Sequence, residues 1–187
     1  MRFTSLFGLA CLTAATFAAP IEQISRGFDT FERAFSKIQT NLRGLTVAIK
    51  DLDTNSRRGG QDLSRQEQDI ERRAADVTQS LRDGTNSIRR TSMLSPVETT
   101  ATVGPLEELG VVTQRAVDAW IQAKPSVLRA GGRQAVLRLL TAQETATDEF
   151  VDAVNAKVPM VTIMAARLYG QRARNQVDLA IAAYNKP

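Results

Sequence analysis

Ten apolar residues, Ile21, Ile24, Phe28, Phe31, Phe35, Ile38, Leu42, Leu45, Ile49 and Leu52, follow one another at spacings that alternate three and four without a miss. That is a heptad-like helical seam, and a single helix carrying it would run to roughly 48 Å at the rise of an α-helix. Pro20 suits its first turn, and Gly27 and Gly44 permit bends. A lone helix with so apolar a face is not stable in water, so other helices or a second copy of the chain must cover it.

The remainder supplies such helices. Asn55 to Gly60 is a loop by composition; Asp62 or Ser64 can cap the next helix, with Glu67 completing a capping box from Ser64. This second helix runs to about Arg90 on a thin seam of Leu63, Ile70, Ala74, Val77, Leu81 and Ile88, with an Asp69 to Arg73 pair at helical spacing. Thr91 to Gly104, with Pro96 and a Thr-rich stretch, reads as a connector open to O-linked sugars. Pro105 then opens a third helix, with Leu106, Leu109, Ala116, Trp120 and Ala123 along one stripe, and Pro125 stops it after Lys124. A fourth helix follows Gly131-Gly132 and ends near Lys157. The fifth begins at Pro159, on a seam of Ile163, Ala166, Gly170, Ala173, Val177, Ile181 and Tyr184 whose small residues admit a close neighbour. Met160, Met164 and Leu168 give its first half a second apolar face, which predicts deep burial or a cavity wall there. No strand-like alternation appears. The expected fold is all-α, an antiparallel bundle of about five helices with a long first helix.

Ahead of the seam, Arg2, the apolar run Leu6 to Leu12 and the small residues Ala14, Ala15, Ala18 and Ala19 read as a cleavable secretory signal. Cutting after Ala18 gives a signal at 1–18 and a single helical domain at 19–187. The run is too short for a comfortable bilayer crossing and no later stretch reaches spanning length, so no integral membrane span is expected. The only cysteine, Cys11, leaves with the signal, and the chain has no histidine. Imidazole acid–base chemistry, thiol nucleophiles and ordinary zinc sites are thereby removed, and no P-loop, dinucleotide fingerprint or nucleophile elbow is present. No catalytic residue, metal or cofactor is expected, and the protein is not expected to be an enzyme. Lysine and arginine number 24 against 20 acidic residues, interspersed along the chain. Without a clustered basic face or aromatic stacking platforms, nucleic acid is not an expected partner. Of the arginine doublets, Arg57-Arg58 alone falls in an expected loop open to a processing protease.

Ala119-Trp120-Ile121-Gln122-Ala123-Lys124-Pro125, then Gly131, Val136 to Leu140, Asn155-Ala156-Lys157-Val158-Pro159 and Ala180-Ile181-Ala182-Ala183-Tyr184 resemble, in order and spacing, the fungal hydrophobic surface-binding protein A family, also called cell wall mannoproteins. The Gly60-Gln61-Asp62 start of helix two fits in outline. The resemblance implies a secreted helical bundle, extracellular or associated with the cell wall, that binds hydrophobic material. It would either adsorb to waxy or polyester surfaces and recruit a secreted esterase, or hold a long-chain fatty acid between helices. This chain is richer in arginine and poorer in alanine and serine, particularly in helix two. The shared motifs are helix ends, so they carry over no binding residue.

Physical reasoning on the residues themselves gives a candidate apolar cavity edged by Phe28, Phe31, Phe35, Met160, Ile163, Met164 and Leu168, with methionine accommodating acyl chains of different length. Arg167 is a nearby cation for a carboxylate head. Two other readings fit the same sequence: a wall or matrix protein working through helix–helix pairing of its long first helix, and a secreted effector binding a host protein.

Overall fold

The computed structural model describes residues 26–57, 63–160 and 163–186. Five helices account for most of them: α1 (Arg26–Arg57), α2 (Leu63–Arg89), α3 (Pro96–Arg129), α4 (Arg133–Asn155) and α5 (Ile163–Asn185). No strand occurs among the described residues. The signal reading, Ile21 and Ile24, Asp62 and Arg58 lie outside them.

The α1 seam does what its spacing predicts. Phe31, Phe35, Ile38, Leu42, Leu45, Ile49 and Leu52 are all buried, and Phe28 is half-buried. The α2 seam follows, with Ile70, Ala74, Val77, Leu81 and Ile88 inside. These two helices run antiparallel: Lys37 Nζ donates to Asp83 Oδ2 at 2.8 Å near one end, and Asn41 Nδ2 donates to the Asp76 carbonyl at 3.1 Å further along. Asp69 meets both Arg73 Nε at 2.6 Å and Arg72 at 2.5 Å, and these guanidiniums, Arg73 first, hold its carboxyl below the usual range. α1 continues through Arg57, past the loop expected from Asn55, and α2 has already begun at Leu63, so Ser64 lies within its first turn instead of capping it.

The largest correction concerns α3. The connector expected over residues 91–104 is mostly helix, and neither Pro105 nor Pro125 is a boundary. The helix starts at Ser95, whose side chain accepts from the Glu98 backbone N–H, while the Glu98 carboxylate accepts from the Ser95 N–H at 2.7 Å. This reciprocal pair satisfies two helix-end donors, and Pro96 in the first turn sacrifices no bond. Each interior proline frees the carbonyl four residues earlier. Those carbonyls belong to Ala101 and Ile121, both exposed, where water can serve them, and Gly104 before Pro105 relieves the usual clash with a Cβ. The Thr-rich stretch is correspondingly less open to sugars than expected. Thr99 and Thr102 are buried and donate their hydroxyls to the carbonyls of Ser95 at 3.0 Å and Thr99 at 2.7 Å.

The chain alternates direction from helix to helix, and the packed pairs are α1 with α2, α2 with α4, α4 with α5, α5 with α3, and α3 with α1. These contacts close into a ring in the order α1, α2, α4, α5, α3. Consecutive antiparallel packing holds for α1/α2 and α4/α5, whereas α3 lies alongside α1 and α5, which run the same way. Ser126 Oγ donates to Asp53 Oδ1 at 2.7 Å across α3/α1, and Lys124 Nζ donates to the Lys186 carbonyl at 3.1 Å across α3/α5. Gly84 brings α2 close to both neighbours, because a Cβ there would stand 2.9 Å from Phe150 Cε2 and 3.3 Å from Ala34 Cβ. At one end of the ring Trp120 and Tyr184 pack edge to face, 6.3 Å between centroids, and Tyr184 Oη donates to the Trp120 carbonyl at 2.9 Å. Burial raises the Tyr184 pKa and keeps that donor protonated.

Candidate functional site

A ring of five helices leaves an axial space that core side chains must fill or leave open. Here part of it stays open, as a cavity of about 470 Å³ to which every helix contributes. Ile38 and Leu42 come from α1, Val77 and Leu81 from α2, Val117 and Trp120 from α3, Phe150 and Val154 from α4, and Val177 from α5. The space exists because α3 and α5 present short residues inward, among them Gly110, Ala116, Ala166, Gly170 and Ala173. At Gly170, α5 closes on α4, since a Cβ there would stand 2.4 Å from Val151 Cγ1.

The electrostatics of the lining are those of an apolar container. Apart from Tyr169, its only ionisable members are Glu107 and Arg172, both exposed, on α3 and α5. The mouth therefore lies along the α3/α5 seam. Two side-chain bonds bridge it: Tyr169 Oη donates to Glu107 Oε1 at 2.6 Å, and Gln176 Nε2 donates to Gln114 Oε1 at 2.9 Å. The bond to Glu107, followed by burial, raises the Tyr169 pKa, and the Arg172 guanidinium stands 6.0 Å over the Tyr169 ring. Four lining residues carry a buried polar atom without a hydrogen-bond partner: Trp120 Nε1, Gln143 Nε2, Asn155 Oδ1 and Gln176 Oε1. Neutral donors and acceptors in an otherwise apolar cavity orient a ligand and do not activate one. No group of histidine, cysteine and acidic side chains among the described residues could hold a metal ion.

A second, smaller cleft of about 350 Å³ lies between the first turns of α3 and α5 and the end of α4. It shares Leu106, Val154, Ala166 and Tyr169 with the larger cavity, so the two spaces adjoin at these four residues.

The seven residues chosen from the sequence divide between these places and the surface. None lines the larger cavity. Phe35 and Met164 line the smaller cleft. Phe31 is buried against Phe35, edge to face at 6.0 Å, and Phe35 against Phe150 in the same manner at 5.9 Å. Phe28 and Ile163 are half-buried. Met160, Met164 and Leu168 are 81%, 74% and 50% exposed, which overturns the expectation of deep burial for this face. Its cause is the rotation of α5: the Ala166, Gly170, Val177 and Tyr184 face takes the interior, and the methionine face follows outward. Arg167 is exposed beside it. Sequence reasoning missed Gln143, Thr147 and Gln176, whose polar character hid their inward position. The small residues of α5 were the available signal, and they mark both a close approach and a void.

A model of the family described as hydrophobic surface binding protein A matches residues 28–156. No curated protein matches the chain. Among solved structures, ligand binding domain 2 of the Penicillium marneffei MP1 protein, complexed with multiple arachidonic acids, is similar with a TM-score of 0.77 at 22% identity, over 88% of this chain and 100% of that one. The AFMP4P protein in complex with palmitic acid gives 0.76 at 22% identity, over 84% and 99%. Ligand binding domain 1 of the P. marneffei MP1 protein, complexed with arachidonic acids, gives 0.71 at 18%, over 86% and 99%. These likenesses establish a shared five-helix fold.

Proposed function

Because the chain belongs to the hydrophobic surface binding protein A family, we propose that it is a non-catalytic binder of long-chain fatty acids, secreted after loss of residues 1–18 and released or held in the cell wall. The observation that carries this reading is the cavity of about 470 Å³, mainly apolar and walled by all five helices. Its volume falls in the range typical of small-molecule sites, roughly 300 to 1,000 Å³. Transfer of an acyl chain into it is favourable at about 25 cal/mol per Å² of apolar surface removed from water. The carboxylate end stays at the α3/α5 mouth near Arg172, since burying a charge among neutral amides is costly. Of the residues chosen from the sequence, Phe35 and Met164 touch the ligand where it reaches the smaller cleft, and Phe28, Phe31 and Ile163 shape the wall behind it. Adsorption to wax or polyester and recruitment of a secreted esterase are compatible extensions of this reading.

The helix-pairing alternative loses its motive here, because the α1 seam is already covered within one chain: Phe31, Leu45 and Ile49 have no exposed surface at all. Native mass spectrometry of secreted protein, followed by extraction and titration with a fluorescent fatty acid, tests the proposal. Saturable uptake that is lost in Ala173→Phe, a substitution that fills the cavity while circular dichroism stays helical, is the expected result. Absence of uptake by the delipidated wild type overturns it.

A further inference from the structure

α1, α3 and α5 begin at the end of the bundle where α2 and α4 finish, and there the surface changes character. Met93, Val97, Met160, Met164 and Leu168 are all exposed. They form one patch because the Leu94 N–H donates to the Lys157 carbonyl at 2.8 Å and Lys157 Nζ donates to the Thr91 carbonyl at 2.6 Å, tying the start of α3 to the segment before α5. Among the described residues, five of the nine exposed large apolar side chains stand at this end. The smaller cleft reaches the patch through Met164 and adjoins the cavity at Leu106, Val154, Ala166 and Tyr169. Exposed methionines adapt to irregular apolar partners at little cost. Charge supplies the second part of the surface. Arg167 and Arg172 on α5 and Arg89 and Arg90 at the end of α2 are exposed nearby. Of the carboxylates at this end, Glu107 accepts from the Tyr169 hydroxyl, Glu98 is held in the capping box and Asp152 pairs with Arg174 at 2.6 Å, while Asp29 and Glu32 on α1 are exposed.

Resting on the fatty-acid reading above, we propose that this end is the loading face. It docks on an anionic lipid surface carrying free fatty acid, and the acyl chain passes from the cleft between the four shared residues into the cavity without crossing water. The arginine fringe holds the surface and the methionine patch penetrates it.

Stopped-flow transfer of an anthroyloxy-labelled fatty acid from phosphatidylcholine–phosphatidylglycerol vesicles to the full protein tests this. The loading rate of the wild type is expected to rise linearly with protein concentration and to fall with added salt. The variant M93Q/V97Q/M160Q/L168Q changes only exposed side chains that line neither cavity. It should keep wild-type equilibrium affinity, helicity and melting temperature. Its loading rate should drop about tenfold, a barrier increase of about 1.4 kcal/mol, and lose its dependence on protein concentration. Wild-type loading by the variant, or a wild-type rate indifferent to protein concentration, overturns the loading face while leaving fatty-acid binding intact. Failure of both proteins to bind at equilibrium overturns the fatty-acid reading and this inference with it.

Discussion

Replacing Gly170 with alanine sets two well-calibrated effects against each other. Alanine gains about 1 kcal/mol of helix propensity over glycine in a helix interior. Against this, the new methyl would stand 2.4 Å from Val151 Cγ1, with the other Val151 side-chain carbons at 3.6 Å. Ordinary contacts begin near 3.4 Å, so α5 or the Val151 side chain has to yield a full ångström. Val151 is itself buried, with little room to turn. Overpacking of this kind costs about 1 to 3 kcal/mol, and the balance is a net loss of about 1 kcal/mol. Urea denaturation followed by circular dichroism should show it as a lowered midpoint at unchanged slope, and heating as a melting temperature lower by about 2 to 4 °C. The Val151→Ala background isolates the cause. There the clash disappears and the propensity gain of about 1 kcal/mol remains, so the double-mutant cycle should return a coupling of about 2 kcal/mol. A Gly170→Ala variant more stable than the wild type, with Val151 intact, would refute the close approach of α5 and α4.

Ser95→Ala removes one half of the capping box at the start of α3 and should cost about 1 kcal/mol in denaturant titration, with Ser95→Asp restoring it. Tyr184→Phe leaves the aromatic packing on Trp120 but deletes a buried hydroxyl donor, and should lower stability by about 1 kcal/mol in the same assay. Burial, then the nearby charges of Asp178 and Asp148, raises the Glu144 pKa. The folded state therefore favours the protonated carboxyl: the stabilising contribution is full below the unfolded value near 4.5 and is lost as pH rises through the higher folded one. Glu144→Gln should accordingly stabilise by about 0.3 kcal/mol at neutral pH and confer nothing at pH 4, measured by melting curves at both.

The parts of the fold that were legible in the sequence are those where one signal acted alone. The α1 seam placed Phe31 through Leu52 in the core because no polar residue interrupts its spacing, and α2 followed from a thinner version of the same pattern. Proline misled where two signals competed. Pro105 and Pro125 carry the local mark of helix boundaries, but the helix survives them because the carbonyls they free face solvent. Ser95-Pro96-Val97-Glu98 carried the true start of α3 in plain view, as a serine and a glutamate three apart. Phenylalanines and methionines suggested a cavity wall by their bulk. Bulk fills space, however, and the opening lies where α3 and α5 offer glycine and alanine. Which way the methionine face of α5 turns depends on its rotation against α3 and α4, a choice between two apolar faces that hydrophobicity does not rank.

The ring order has a consequence for how the protein comes into being. α5 lies between α3 and α4, yet it follows both in the chain, so a nascent chain possesses four helices and an open trough before it possesses a cavity. The α1/α2 hairpin can form early from contacts close in sequence, while closure waits for the last helix. When that helix arrives, its far turn is secured from three sides, by burial of Tyr184 against Trp120, by Arg133 donating to the Asn185 carbonyl at 2.7 Å and by Lys124 reaching the Lys186 carbonyl. A ligand met before that moment is enclosed by folding itself, and one met afterwards has to enter a bundle already closed.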